Sequence, residues 1–269
     1  MKKLALVLGG GGAKSFAHLG VIKVLQENNI PIDLLVTCSG GSIIGALIAS
    51  GANIEEIKKE FYKKTRRINW FTLKLSRKGL LSQKNIQSIL KHLGADIDIR
   101  DTKIPIRIMS TNLNLGELKI FKSGSLKKAV CASVAFPGIY KPVKIGDYLF
   151  VDGGVLNSIP ADIGSREIGR GNVTVTINLD YILNGEINES HVFQIIHRSI
   201  YIPMISQRKE IVKKNSDIIL EPFKDKNFGF KSSADILRFY SVKKMETFYQ
   251  LGVEEAEEKI NRIKLLLKD

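Results

Sequence analysis

A run of five apolar residues, Leu4 to Leu8, that breaks into four consecutive glycines constrains this chain more than any other feature. An uninterrupted apolar run bounded by glycine reads as a strand buried on both faces, the situation of a parallel sheet covered by helices. Past Gly9 to Gly12 the period changes. Phe16, Leu19, Val21, Ile22, Val24 and Leu25 fall on one face of a helix that ends near Asn28 and Asn29. The unit then repeats: Asp33 to Thr37 reads as a strand, Cys38-Ser39-Gly40-Gly41 as a sharp turn, and Ser42 to Ser50 as an apolar helix stopped at Gly51. Two such units in succession predict an α/β fold, a three-layer sandwich with a mostly parallel central sheet and helices on both faces.

The rest of the chain extends that pattern. Asn53 is placed to cap a helix opening Ile54-Glu55-Glu56, with acidic residues where the helix dipole favours them. Ser82 to His92 and Ser125 to Ser133 read as helices. Ile104 to Thr111 and Glu117 to Phe121 read as strands joined by the turn Asn112 to Gly116, and Tyr148 to Val151 as a strand ending at Asp152-Gly153-Gly154. Val173 to Asn178 is a late buried strand, and His191 to Lys214 and the stretch from Ser233 onward are helical. No repeat, low-complexity tract or linker interrupts the chain. A single domain over residues 1–269 is expected, with a motif-bearing core of about 4–180 and a helical C-terminal part of about 190–269.

Hydrophobic residues at 44% and charged residues at 25% supply a sizeable core without help from a metal or a disulfide. Cys38 and Cys131 form neither a disulfide framework nor a metal-ligand spacing and are expected to be reduced and buried, in a cytoplasmic protein. No metal and no cofactor is called for. Lys and Arg number 41 against 27 Asp and Glu, a net charge of +14 that favours anionic partners. No nucleic-acid recognition motif accompanies that charge, so an acidic lipid surface is the preferred partner and nucleic acid is set aside. The opening MKKLALVL has too short an apolar run for a signal peptide, and no stretch approaches the roughly 20 apolar residues of a membrane-spanning helix. A soluble or peripheral protein is expected.

Three constellations carry chemistry. Gly9-Gly-Gly-Gly-Ala-Lys-Ser15, between strand and helix, exposes backbone N–H groups at a positive helix end, a site for an anion. A dinucleotide fingerprint requires glycine where Ser15 stands, a phosphate-binding loop requires glycine where Ala13 stands, and the third reading is an oxyanion hole. The run alone does not choose among them. Thr37-Cys-Ser39-Gly-Gly41 lies at a strand-to-helix junction, where a nucleophile elbow lifts a serine hydroxyl above a sheet and the N–H of Gly40 joins the oxyanion donors. Taken by itself, Ser39 reads more readily as a helix-capping serine. Asp152-Gly153-Gly154 ends a strand, where an aspartate can face the crevice at the sheet's carboxyl edge, and taken by itself reads more readily as an ordinary turn.

Together these residues resemble the patatin-like phospholipase family, whose pattern is a glycine-rich oxyanion loop, a G-x-S-x-G elbow and a later D-G-[AG] element. His18-Leu-Gly-Val21, Gly79-Leu-Leu-Ser82, Ala129 to Gly138 and Tyr148 to Pro160 match its intermediate blocks, and the resemblance covers about Leu4 to Asp162. It implies a serine lipid-acyl hydrolase of the phospholipase A, lysophospholipase or esterase type, working on a lipid or acyl-ester substrate. It implies a Ser-Asp dyad of Ser39 and Asp152, with oxyanion donors from Gly10, Gly11, Gly12 and Gly40. The four histidines fit no triad: His18 reads as a packing or cap residue, and His92, His191 and His197 as surface residues.

The chain departs from the family at Thr37, which stands for the first glycine of the elbow motif, and at Ser15, which stands for the last glycine of the loop. Thr37 adds bulk beneath the elbow, for which Gly40, often alanine in the family, is expected to compensate. Lys14 keeps the family's positive charge and is expected to hold an anionic headgroup. Lys58, Lys59, Lys63, Lys64, Arg66, Arg67, Lys74, Arg77 and Lys78 surround Trp70 and Phe71, cations around aromatics that read as a peripheral contact with an anionic membrane and as part of the substrate-binding surface.

Overall fold

A computed structural model of the chain describes residues 1–67, 82–180, 192–226 and 242–268. Within them the fold is an eight-stranded sheet between two layers of helices. Its centre is parallel. The first strand, β1 (Leu4–Leu8), lies between β2 (Leu34–Cys38) and a strand from late in the chain, Val173–Ile177, all three running the same way. All five residues of β1 are buried. Leu4, Leu6 and Leu8 feed one core and Ala5 and Val7 the other, so the missing polar alternation in the sequence is a strand covered on both sides.

One layer holds α1 (Phe16–Glu27), α2 (Gly40–Ser50), α3 (Ile54–Arg67), α4 (Lys84–His92) and α5 (Leu126–Ser133). Ser125 caps the last of these, its hydroxyl accepting from Lys128 N–H at 3.3 Å. Between them the chain adds β3 (Ile106–Asn112), parallel to β2, and β4 (Glu117–Phe121), antiparallel to β3. A short β5 (Val143–Ile145) and β6 (Tyr148–Asp152) follow as a hairpin, with β6 antiparallel to β3. The second layer is α6 (Ala161–Ile168) and α7 (Val192–Asn215), packed on the Ala5, Val7, Val36 face. The late strand is β7 (Val173–Ile177), and β8 (Ile218–Leu220) adds to it in parallel. The final helix, α8 (Val242–Lys268), returns to the first layer and crosses α1. There a Cβ on Gly20 would stand 2.7 Å from Val253 N, and one on Gly252 2.7 Å from the Ala17 carbonyl carbon. Only glycine lets these two helices approach so closely.

The sheet positions the site through one register. β4 pairs Ile108 to Asn112 of β3, so β2, which pairs Leu35 to Cys38 with residues up to Met109, and β6, which pairs from Ser110 onward, must share the other edge of β3. β2 rises along that edge to Cys38 opposite Met109, and β6 descends along it to Asp152 opposite Ser110. The two strand ends therefore meet end to end on consecutive rungs of β3. Among the described residues no helix is long and apolar enough to cross a membrane, and no group of three or more His, Cys, Asp or Glu is placed to hold a metal ion.

The expected strand Asp33 to Thr37 sits one residue later, at Leu34–Cys38, because Asp33 is the acceptor that fixes its start: its Oδ2 takes the Leu4 N–H at 2.8 Å. Three elements went unread in the sequence. β5 and β8 are three residues each, too short to show a period, and α6 begins directly after Pro160 in a turn-rich stretch.

Candidate active site

Ser39 sits at the top of β2 with φ +52° and ψ −129°, a conformation a side-chain-bearing residue adopts only when its surroundings hold it there. Three bonds supply that hold. Ser39 N–H donates to Ser133 Oγ at 2.9 Å, Ser133 and Ser42 share a hydroxyl contact at 2.8 Å, and Ser42 N–H donates to Ser39 O at 2.8 Å. Ser133 is fully buried at the end of α5. The sequence reading passed over it; the only signal was a hydroxyl in an otherwise apolar stretch, Ala129 to Ala135.

The turn aims the Ser39 hydroxyl at Asp152, donating to Oδ2 at 2.6 Å. The other oxygen, Oδ1, accepts from Gly154 N–H at 2.7 Å, and Cys38 Sγ stands 4.0 Å away. The backbone of Asp152 is fixed as well, its N–H donating to Ala135 O at 3.1 Å and its carbonyl accepting from Thr111 Oγ1 at 3.0 Å. Ser39 is partly accessible while Asp152 is 1% exposed. Burial pushes the Asp152 carboxyl up from 3.8 to about 6, against the Ser39 and Gly154 hydrogen bonds and the charge of Arg208 on α7. That value leaves it mostly ionised at neutral pH and a stronger base than an ordinary aspartate. The same shift costs the fold about 3 kcal/mol above pH 6.

The glycine loop approaches the elbow from β1. A Cβ on Gly10 would stand 3.1 Å from Ser39 Cβ. Gly10 was expected among the oxyanion donors, and its N–H is instead spent on the Ser158 carbonyl at 2.8 Å, tying the loop to the segment after Asp152. The N–H groups of Gly11, Gly12 and Gly40 have no protein acceptor among the described residues. Gly40 opens α2, whose positive end faces the same space. The glycine turn and the serine turn thus meet closely, Gly10 against Ser39 and Gly12 against Gly40.

Both departures from the family pattern find their accommodation here. The γ-methyl of Thr37 lies 2.5 Å from where a Cβ on Gly45 would be, so a glycine in α2, rather than Gly40, makes room for it. Gly40 answers Ser15: a Cβ on Gly40 would collide with Ser15 Oγ and come within 2.8 Å of Gly12 O. Ser15 fills the volume that Gly40 vacates.

Lys14 does not present its charge to a surface. It is 4% exposed, its ammonium donates to the Leu179 carbonyl and lies 5.5 Å from the Phe223 ring centre. Burial lowers it to about 7, with Asp180 raising and Arg208 lowering it. Arg208 pairs with Asp180, so the base of the glycine loop rests on a buried cluster that reaches α7. His18 is buried and lowered to about 4 by desolvation; its Nε2 faces Gly9 O at 2.9 Å, so the neutral ring donates to that carbonyl and braces the loop. His92 stands on the surface, 3.9 Å from Glu60. Trp70, Phe71, Lys74, Arg77 and Lys78 lie outside the described residues. Of the basic segment before them, Lys58 is turned inward, 3.9 Å from the Tyr249 ring centre and 3.4 Å from Glu246.

The sequence profile described as Patatin-like phospholipase matches residues 6–164. The neuropathy target esterase sws of Drosophila melanogaster is 32% identical over 168 residues, covering 60% of this chain and 12% of that protein. Human patatin-like phospholipase domain-containing protein 6 is 33% identical over 174 residues, 62% of this chain and 12% of its own length. An uncharacterized NTE family protein of Mycobacterium tuberculosis is 31% identical over 160 residues, 59% and 44% respectively. The matched region is thus about an eighth of the fly and human relatives and under half of the mycobacterial one. Among solved structures, ExoU in its complex with SpcU, from the type III secretion system of Pseudomonas aeruginosa, aligns over 100% of this chain and 52% of its own at 16% identity and TM-score 0.47. VipD from Legionella pneumophila aligns over 94% and 67% at 16% identity and TM-score 0.45.

Proposed function

The chain belongs to the patatin-like phospholipase family, and on that premise we propose that it is a serine lipid-acyl hydrolase working through a Ser39–Asp152 dyad. The observation that carries the reading is the 2.6 Å hydrogen bond from Ser39 Oγ to a buried carboxylate whose pKa is pushed up to about 6. Asp152 Oδ2 takes the hydroxyl proton as Ser39 Oγ attacks the ester carbonyl. The carbonyl oxygen becomes an oxyanion bordered by the N–H groups of Gly11, Gly12 and Gly40. Collapse of the tetrahedral intermediate expels the alcohol, which leaves with the proton from Asp152. Water then attacks the acyl carbon as it gives a proton to the same carboxylate, and when the second tetrahedral intermediate collapses Asp152 returns that proton to Ser39 Oγ and the fatty acid leaves.

Among the described residues no histidine is hydrogen-bonded to Ser39 or Asp152, and His191 and the side chain of His197 lie outside them. His18 turns its ring to the Gly9 carbonyl, so a single carboxylate serves as base in both halves of the reaction. An aspartate near its ordinary value would be a poor base for a serine hydroxyl; burial supplies the missing basicity. The substrate class follows the family, a lipid or related acyl ester.

Labelling by a fluorophosphonate, which traps activated serines, tests the reading on wild type, Ser39→Ala and Asp152→Asn. Labelling of the wild type alone supports an activated Ser39 dependent on Asp152. Equal labelling of all three points to another nucleophile, and a folded, unlabelled wild type points to a catalytically silent lipid-binding protein.

A further inference from the structure

Four of the nine large apolar side chains that the described residues leave exposed gather at one place, the carboxyl end of β3 and the start of β6. Leu113, Leu115, Tyr148 and Leu149 are 40–55% exposed there, and Leu156, just past the Asp152 turn, is 40% exposed. They do not sit on a loose loop. Leu113 N–H donates to Leu149 O at 2.9 Å, Leu149 N–H to Asn114 Oδ1 at 2.7 Å, and Gly116 N–H to Asn112 O at 2.9 Å. The turn between β3 and β4 is thereby bolted to the head of β6.

The place of this platform follows from the sheet. β3 runs parallel to β1 and β2, so its end lies on the side where Ser39 and the glycine loop emerge. β6 runs the other way, down from Tyr148 to Asp152, so Leu149 stands about 10 Å above the carboxylate at ordinary strand rise. Tyr148, Phe150 and Asp152 share one face of that strand. Exposed Lys119, Lys141 and Lys144 flank the patch and outnumber the exposed acids Glu117 and Asp147, on a chain of net charge +14.

We propose that Leu113, Leu115, Tyr148 and Leu149 form the surface by which this protein docks on an anionic phospholipid bilayer, apolar tips in the acyl boundary and lysines at the headgroups. An aromatic residue, leucines and flanking lysines are the composition that settles at such an interface. Docked this way, the protein places Ser39 and Asp152 within about one acyl-chain length of the lipid, so that a substrate ester needs only a short rise to reach the dyad. The choice of lipid as partner rests on the hydrolase reading; the surface uses none of the residues of the basic segment around Trp70.

The test uses the full chain with Ser39→Ala, so that binding is read without turnover, and sedimentation with vesicles of equal parts phosphatidylcholine and phosphatidylglycerol. The triple substitution Leu113→Ser, Leu115→Ser, Tyr148→Ser is expected to weaken vesicle binding by tenfold or more. Leu265→Ser, an equally exposed leucine on α8, is expected to leave it unchanged. In the Ser39-intact protein the same triple variant keeps wild-type hydrolysis of a water-soluble short-chain ester. Unchanged vesicle binding by the triple variant, or no vesicle binding by the parent, overturns the proposal. So does a dimer in size-exclusion chromatography that the triple variant dissociates while vesicle binding persists, which makes the patch a contact between copies. Loss of short-chain ester hydrolysis in the wild type would instead strike the hydrolase reading and leave the docking result standing.

Discussion

The two turns that build the site start from the same plan and are completed in opposite ways. Each follows a buried parallel strand and opens a helix, on neighbouring strands β1 and β2. The first turn strips its side chains away, four glycines in a row, and what it offers is backbone N–H. The second keeps a side chain at its apex and holds it at positive φ, and what it offers is a hydroxyl. Glycine costs chain entropy but no strain at such a turn, whereas serine in that conformation costs on the order of 1–3 kcal/mol and survives only if neighbours over-determine it. That difference explains why the elbow is crowded with partners while Gly11 and Gly12 find no protein acceptor for their N–H groups among the described residues.

The sharpest break of this contrast removes what the second turn presents. Ser39→Ala is expected to lower kcat at least about 10⁴-fold, and Asp152→Asn about 10³–10⁴-fold, by steady-state hydrolysis of a soluble ester. Disturbing the contact between the turns comes next. Gly40→Ala drives a methyl toward Ser15 Oγ and Gly12 O, displacing oxyanion donors, and is expected to cost about 10²–10³ in kcat. Adding Ser15→Gly removes the Oγ contact while Gly12 O stays close, so the double variant is expected to recover part of the loss. If the double variant is as impaired as Gly40→Ala alone, the exchange of volume between the two positions is not the reason for Ser15.

Ser133→Ala probes the hold on the elbow alone. It leaves the part-buried Ser39 N–H without its acceptor, a loss of about 1 kcal/mol, and is expected to lower kcat roughly tenfold with KM little changed. A purely structural role would lower Tm without that split. Smaller still is the pH effect. Asp152 acts as base only when ionised, so kcat/KM should rise tenfold per pH unit up to about 6 and level off above it. A limb centred near 4 would mean the carboxylate is not desolvated in solution.

Stability runs the other way. A carboxyl whose folded pKa lies above its unfolded value binds more protons in the native state between about 4 and 6. The native state therefore loses stability as pH rises through that window. Asp152→Asn removes the buried charge, and its Tm should exceed that of wild type by a few degrees at pH 8 and not at pH 4. Differential scanning calorimetry at the two pH values decides it.

Much of the site was legible in the sequence because its pieces are local. A period change marks where β1 gives way to α1, glycine runs mark where a backbone must turn or approach closely, and Ser39 and Asp152 sit at those marks. Ser133 was not legible, since a lone hydroxyl in a helix has many possible partners and only packing against α2 selects one. Lys14 was misplaced for the same reason. Its spacing in the loop matches the family, yet burial against Leu179, Asp180, Arg208 and Phe223 depends on strands and helices some 165 or more residues away.

By itself, then, the sequence determined the strand–turn–helix units, the parallel character of the sheet and the placing of Ser39 and Asp152 at strand ends, because local period and backbone chemistry suffice for those. Tertiary structure alone decided that Ser39 and Asp152, 113 residues apart, meet on adjacent rungs of β3. It alone decided that the Gly10 N–H belongs to Ser158 and that exposed leucines gather at the carboxyl end of β3. Pairing register and hydrogen-bond ownership are set by which segments become neighbours, and no stretch of chain carries that knowledge within itself.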